Sequence, residues 1–192
     1  IGGFTPRAIN KNGDVVGAMV AKRNNVEWYD RACLWRNGSL TDLGTLAGNY
    51  SYAYGINDVG QITGVSFTGS GTNTRAFLWS SGTLSDLGTL GGGYSQAYGI
   101  SNGRHVVGYA NVAGEIQHAV LYTLGTAGSP NTSTDLGTLG ANYSYAYAVN
   151  SNAQVVGTSG QAFLWQNGAM FDLNMLLPQD SNWKLEAASA IN

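Results

Sequence analysis

Short apolar runs of about four to eight residues, the length of β-strands, follow one another along this chain, separated by clusters rich in Asn, Gly and Ser. The runs recur in a fixed order. Aligned on an Ile/Val-Asn/Ser step, the anchors Ile9, Ile56, Ile100, Val149 and Ile191 are spaced 47, 44, 49 and 42 residues apart. Eight residues beyond each of the first four stands a glycine: Gly17, Gly64, Gly108 and Gly157. The intervening Asn-Lys-Asn-Gly, Asn-Asp-Val-Gly, Ser-Asn-Gly-Arg and Asn-Ser-Asn-Ala clusters tolerate positive φ and close tight hairpins. They turn a first strand into a second at Val15-Val16, Ile62-Thr63, Val106-Val107 and Val155-Val156. A third run, Arg31–Trp35, Arg75–Trp79, His118–Tyr122 and Gln161–Trp165, is nearly continuous in apolar residues, which predicts a strand buried on both faces. Asn37-Gly38, Ser81-Gly82 and Asn167-Gly168 then turn the chain into a fourth strand. That strand ends in Asp-Leu-Gly-Thr-Leu at Asp42–Leu46, Asp86–Leu90 and Asp135–Leu139, with a blurred copy at Asp172–Met175.

Four strands repeated every ~45 residues predict an all-β propeller built from four-stranded antiparallel blades. One such sheet has two apolar faces and buries them only by stacking on its neighbours. A β-solenoid is the rival, but its coils repeat at shorter periods, and a two-sheet sandwich would not repeat its sequence four times. We expect one propeller domain over 1–192, with repeats near 4–46, 47–90, 91–139 and 140–176 and a partial fifth over 177–192. In that partial repeat Glu186–Asn192 is expected to be a first strand. The intact protein is expected to continue into a fifth blade, because a cut within a blade exposes an apolar edge.

Composition narrows the function classes. Only 10% of residues are charged, with 28 Gly and 11 Tyr, a neutral polar make-up common outside cells. The formal net charge of -2 gives no electrostatic reason to expect nucleic acid. No apolar run reaches the ~18 residues of a membrane span, so no membrane insertion is expected. Cys33 is the single cysteine, which excludes an intrachain disulfide framework and a cysteine metal cluster.

The pattern Tyr-Ser-x-Ala-Tyr-Gly-Ile-Asn-x-x-Gly-Gln-x-x-Gly, then Arg/His-Ala-Phe-Leu-Trp, then Asp-Leu-Gly-Thr-Leu-Gly-Gly resembles the HAF-repeat family of extracellular bacterial proteins. The resemblance spans essentially the whole chain and recurs in every repeat. His118-Ala119-Val120 and Arg75-Ala76-Phe77 are the nearest copies of the naming triplet. Cys33 and Val120 stand in place of its Phe, and Arg31, Arg75 and Gln161 in place of its His. Those departures argue against a catalytic or metal-binding role for that histidine. The resemblance implies a secreted or surface-displayed protein and carries no established activity.

Candidate chemistry lies in three places. Tyr50, Tyr52 and Tyr54 alternate with small residues, Tyr143, Tyr145 and Tyr147 repeat this, and Tyr94 and Tyr98 keep the register. Period-two alternation puts these rings on one face, where they either pack between blades or stack on sugars. Arg31, Arg75, His118 and Gln161 occupy one equivalent position, either as donors to an anion or glycan or bonded to carbonyls between blades. The second-to-third-strand connections differ most in length. The longest, holding Lys22, Arg23, Asn24, Asn25, Glu27, Trp28, Tyr29 and Asp30, is expected to be either a ligand or partner contact or a solvated loop.

The repeated aspartates, one per blade, fit turn-locking better than calcium ligation, which needs several oxygens at one point. His105 and His118 have no Ser or Cys motif beside them, and a glycosidase-like carboxylate pair is the one enzymatic arrangement left open. The expectation is a non-enzymatic, extracellular, lectin-like binding or adhesion module without cofactor or metal. Its partner is a glycan or cell-surface polysaccharide, and its ligand-binding residues are Tyr52, Tyr54, Tyr98, Tyr145, Tyr147, Trp28, Tyr29, Arg75 and His118. The runner-up is a structural surface protein that self-associates by adding the strand 186–192 to another chain's sheet.

Overall fold

The computed structural model describes residues 3–23, 27–69, 72–126 and 129–192, and the side chains of residues 21–23 and 27–28 lie outside that description. All of its named strands fall in four antiparallel four-stranded sheets. The first holds β1 (Phe4–Ile9), β2 (Val15–Arg23), β3 (Glu27–Arg36) and β4 (Ser39–Asp42), and the second β5 (Ser51–Ile56), β6 (Ile62–Phe67), β7 (Thr74–Ser80) and β8 (Thr83–Asp86). The third holds β9 (Gly91–Ile100), β10 (His105–Val112), β11 (Gln117–Thr123) and β12 (Thr132–Asp135), and the fourth β13 (Tyr145–Val149), β14 (Val155–Thr158), β15 (Ala162–Gln166) and β16 (Ala169–Asp172). Each sheet pairs its strands in chain order, so each repeat is a meander, as the period predicts.

Local chemistry explains the meander. Asn37 and Gly38 both take positive φ, 50° and 79°, and Ser81-Gly82 and Asn167-Gly168 repeat this, giving two-residue hairpins whose twist matches that of the strands. Asn10, Asn57 and Asn150 close the first-to-second-strand turns, their Oδ1 atoms accepting from the backbone N–H of Asp14, Gln61 and Gln154 at 2.9–3.0 Å. The first strand carries a bulge at the same place in β1, β5 and β13. Its backbone swings against the glycine eight residues after the anchor. A Cβ on Gly17, Gly64 or Gly157 would lie 2.0, 1.9 and 1.9 Å from the carbonyl oxygens of Thr5, Tyr52 and Tyr145. Only glycine fits there.

The chain forms two compact units, Ile1–Gly88 with Gly93–Ala97, and Thr89–Gly92 with Tyr98–Asn192. In the first, Val16, Ala32, Leu34 and Leu43 of one repeat pack on Ala53, Ile56, Ile62 and Phe77 of the next. The second is built the same way, Val107, Ala119, Leu121 and Leu136 packing on Ala146, Val149, Val155 and Phe163. A buried serine stitches each such pair together. Ser51 Oγ accepts from Ala32 N and donates to Gly44 O, and Ser144 Oγ accepts from Ala119 N and donates to Gly137 O. Ser95 does the same for Ala76 and Gly88.

Two expectations change. Residues 22–23 and 27–30 are not loop: β2 and β3 stay paired out to Arg23↔Glu27, so they lengthen a hairpin, while Asn24 and Asn25 lie outside the described residues. The Glu186–Asn192 segment is not assigned as a strand. It nevertheless lies against the fourth sheet by scattered bonds: Ala162 N to Leu185 O, Ala188 N to Gly157 O, Thr158 Oγ1 to Glu186 O and Asn150 Nδ2 to Asn192 O. The small side chains of Ala-Ala-Ser-Ala give it little to pack.

Candidate functional site

The tyrosines lie where alternation puts them. Along β5 the small residues Ser51, Ala53 and Gly55 are buried while Tyr52 and Tyr54 stay half-exposed. In the first unit the Tyr52 hydroxyl donates to Asp30 Oδ2 at 2.8 Å. Burial, and after it this bond to a carboxylate, raises the Tyr52 pKa, so the phenol stays a donor. Tyr29 meets Tyr50 edge-on at 5.3 Å, Tyr50 packs on Phe67 at 5.5 Å, and Tyr50 is 36% exposed. The Arg7 guanidinium sits 6.0 Å from the Tyr54 ring centroid, within cation–π range.

The second unit gathers five tyrosines. Tyr109 packs edge-on against Tyr145 at 5.3 Å, Tyr143 touches Tyr145 at 5.3 Å, and Tyr98 contacts both Tyr109 and Tyr147. Tyr145 donates its hydroxyl to Gln117 Oε1. Burial comes first in raising the pKa of Tyr145 and Tyr147, followed by the neighbouring phenols. Tyr143 is 40% exposed at the edge of the cluster. Asp30 and Gln117 hold the same position, the residue before the Arg31/His118 site, so both units carry one arrangement: a tyrosine hydroxyl on a side-chain oxygen, with an exposed ring alongside. In the middle repeat the equivalents are Thr74 and Gln96, and the pair is absent there.

The Arg and His side chains at this position turn to the signature aspartates. Arg31 Nε lies 3.3 Å from Asp42, Arg75 Nε 3.7 Å from Asp86, and His118 Nδ1 2.9 Å from both Asp135 oxygens. Arg75 also donates to the carbonyl of Gly93. The aspartates meanwhile lock the turns, Asp42, Asp86 and Asp135 accepting from Gly44, Gly88 and Gly137 N–H at 2.7–2.8 Å, and Asp172 from Asn174. Tyr52, Tyr54 and Tyr29 thus gather in the first unit and Tyr98, Tyr145 and Tyr147 in the second, whereas Arg75 and His118 belong to the turn network. The Trp28 side chain lies outside the described residues.

Tyr109 and Gln117 were not expected. Tyr109 follows Gly108 on β10, outside the alternating tyrosine strand, and only packing brings it to Tyr145. Among the described residues no group of three or more His, Cys, Asp and Glu is close enough to hold a metal ion. No helix among them is long and apolar enough to cross a membrane. Compared with known protein families and with curated proteins, the chain matches neither a family nor an individual protein.

Proposed function

We propose that this chain is an extracellular, non-enzymatic binding or adhesion module of the HAF-repeat type, its four sheets the blades of a propeller, and that it binds carbohydrate on its tyrosine faces. The observation that carries this reading is the recurrence of one arrangement in both units. Tyr52 bonds Asp30 and Tyr145 bonds Gln117, with the partly exposed Tyr50 and Tyr143 two residues earlier on the chain. A partly exposed ring next to a fixed hydroxyl and a carboxylate or carboxamide oxygen suits a sugar, whose apolar face stacks while its hydroxyls exchange hydrogen bonds. The low charge of the chain favours a neutral saccharide over an anionic one.

Glycan-array binding of the purified protein tests this, with Tyr50→Ala and Tyr143→Ala as variants. Both rings are partly exposed, and circular dichroism of each variant checks that the fold is retained. Each lost stacking contact is worth about 1 kcal/mol, so each substitution is expected to weaken saturable binding at its own site several-fold, and the double variant to abolish retention. If no glycan is retained, or the double variant binds like the parent, the reading fails.

A further inference from the structure

The two units carry the same tyrosine arrangement, but the oxygen that receives the tyrosine hydroxyl differs in charge. Tyr52 donates to the Asp30 carboxylate, and Tyr145 to the Gln117 carboxamide. In the first unit, every other carboxylate whose side chain is described has a base beside it. Asp14 meets Arg36, Asp42 meets Arg31, Asp58 meets Lys11 and Asp86 meets Arg75. Arg7, the remaining described base of that unit, lies over the Tyr54 ring. Among the described side chains Asp30 therefore has no cationic partner, and the apolar Val20 stands opposite it on β2.

Asp30 is half-buried, so water screens its charge less than that of a fully exposed carboxylate. Aromatic faces lie close by. Tyr29 precedes Asp30 on β3 and meets Tyr50 edge-on, and Tyr50 stands two residues before Tyr52, whose hydroxyl Asp30 holds. A carboxylate beside the electron-rich faces of aromatic rings is the chemistry that recognises an ammonium group, by a charge-assisted hydrogen bond and by cation–π attraction. The second unit keeps the rings, Tyr143, Tyr145 and Tyr109, but offers a carboxamide, which bonds hydroxyls and holds no charge for a cation. We propose that the two sites select different sugars. The first-unit site takes an amino sugar, its free ammonium on Asp30 and its apolar face on Tyr50, and the second-unit site takes a neutral sugar. This rests on the carbohydrate reading and names the sugar class for each site.

Isothermal titration with a glucosamine oligosaccharide and with its fully N-acetylated counterpart tests the proposal, at about pH 6 so that the free amine is protonated. Tyr143→Ala isolates the first-unit site and Tyr50→Ala the second. The first-unit site is expected to bind the amino form about tenfold more tightly than the acetylated form, a margin that shrinks as salt rises. The second-unit site is expected to show no such preference. Asp30→Asn, which keeps an oxygen for the Tyr52 hydroxyl, is expected to erase the preference, and Gln117→Glu to create it in the second unit. If Asp30→Asn alters the circular dichroism spectrum, Asp30→Gln replaces it. Binding of neither saccharide overturns the carbohydrate reading and the assignment with it. Equal binding of both forms at the first-unit site, a preference that survives Asp30→Asn, or equally tight binding of a lysine oligopeptide overturns the amino-sugar assignment alone.

Discussion

Ser144 illustrates how much one small residue holds. It is fully buried, and its hydroxyl accepts from Ala119 N–H at 2.7 Å and donates to Gly137 O at 2.6 Å. Alanine there leaves two buried backbone groups unsatisfied, so Ser144→Ala is expected to lower stability by about 2–3 kcal/mol in urea unfolding. Cys33 is fully buried, and desolvation first, then the nearby Asp42 charge, pushes its thiol up to about 12. It is expected to resist iodoacetamide in the native protein and to react only once the chain is unfolded. Asp14 is buried beneath the Arg36 guanidinium, 2.8 Å away. The hydrogen bond from Arg36, more than the opposing desolvation, holds its pKa below the usual 3.8. The folded value being the lower one, this contribution is complete above the unfolded pKa and is lost as pH falls through the folded pKa. Acid unfolding curves below about pH 4 are therefore expected to be less steep for Asp14→Asn than for the parent.

At the scale of the element, the strands and hairpins could be located from sequence because their determinants are local: two-residue Asn-Gly turns, Asn-capped turns and alternating side chains. What alternation could not tell is why a glycine stands eight residues after the anchors Ile9, Ile56 and Val149. The bulge in the first strand supplies the reason, since it drives a carbonyl into the space where a Cβ would be. Gly64→Ala is accordingly expected to cost about 3 kcal/mol, measured by thermal or urea unfolding. The left-handed turn position is occupied by Gly13 and Gly60 in two repeats but by Arg104 (φ 66°) and Ala153 (φ 61°) in the others. Arg104 is exposed, so Arg104→Gly relieves the strain without loss of packing and is expected to stabilise by about 0.5 kcal/mol, the relief exceeding glycine's added unfolded-state entropy. The charges of residues 22–23 and 27–30 look like those of a loop, whereas cross-strand pairing carries the hairpin outward regardless of polarity.

At the scale of the whole molecule, cohesion comes from apolar contact between repeats and from buried serine and asparagine bonds, with few charges involved. Among the described residues the pairs Lys11–Asp58, Arg31–Asp42 and Arg75–Asp86 are partly exposed, and such pairs contribute little. The thermal midpoint is expected to move by less than about 2 °C between roughly 0.05 M and 0.5 M salt at neutral pH. By itself the sequence determined the repeat period, the strand count, the turns and the one-faced tyrosines, because each depends on residues close along the chain. Tertiary structure alone decided that Tyr109 and Gln117 join Tyr145, and that Arg31, Arg75 and His118 turn to the signature aspartates. Those outcomes depend on which strand or repeat lies against which.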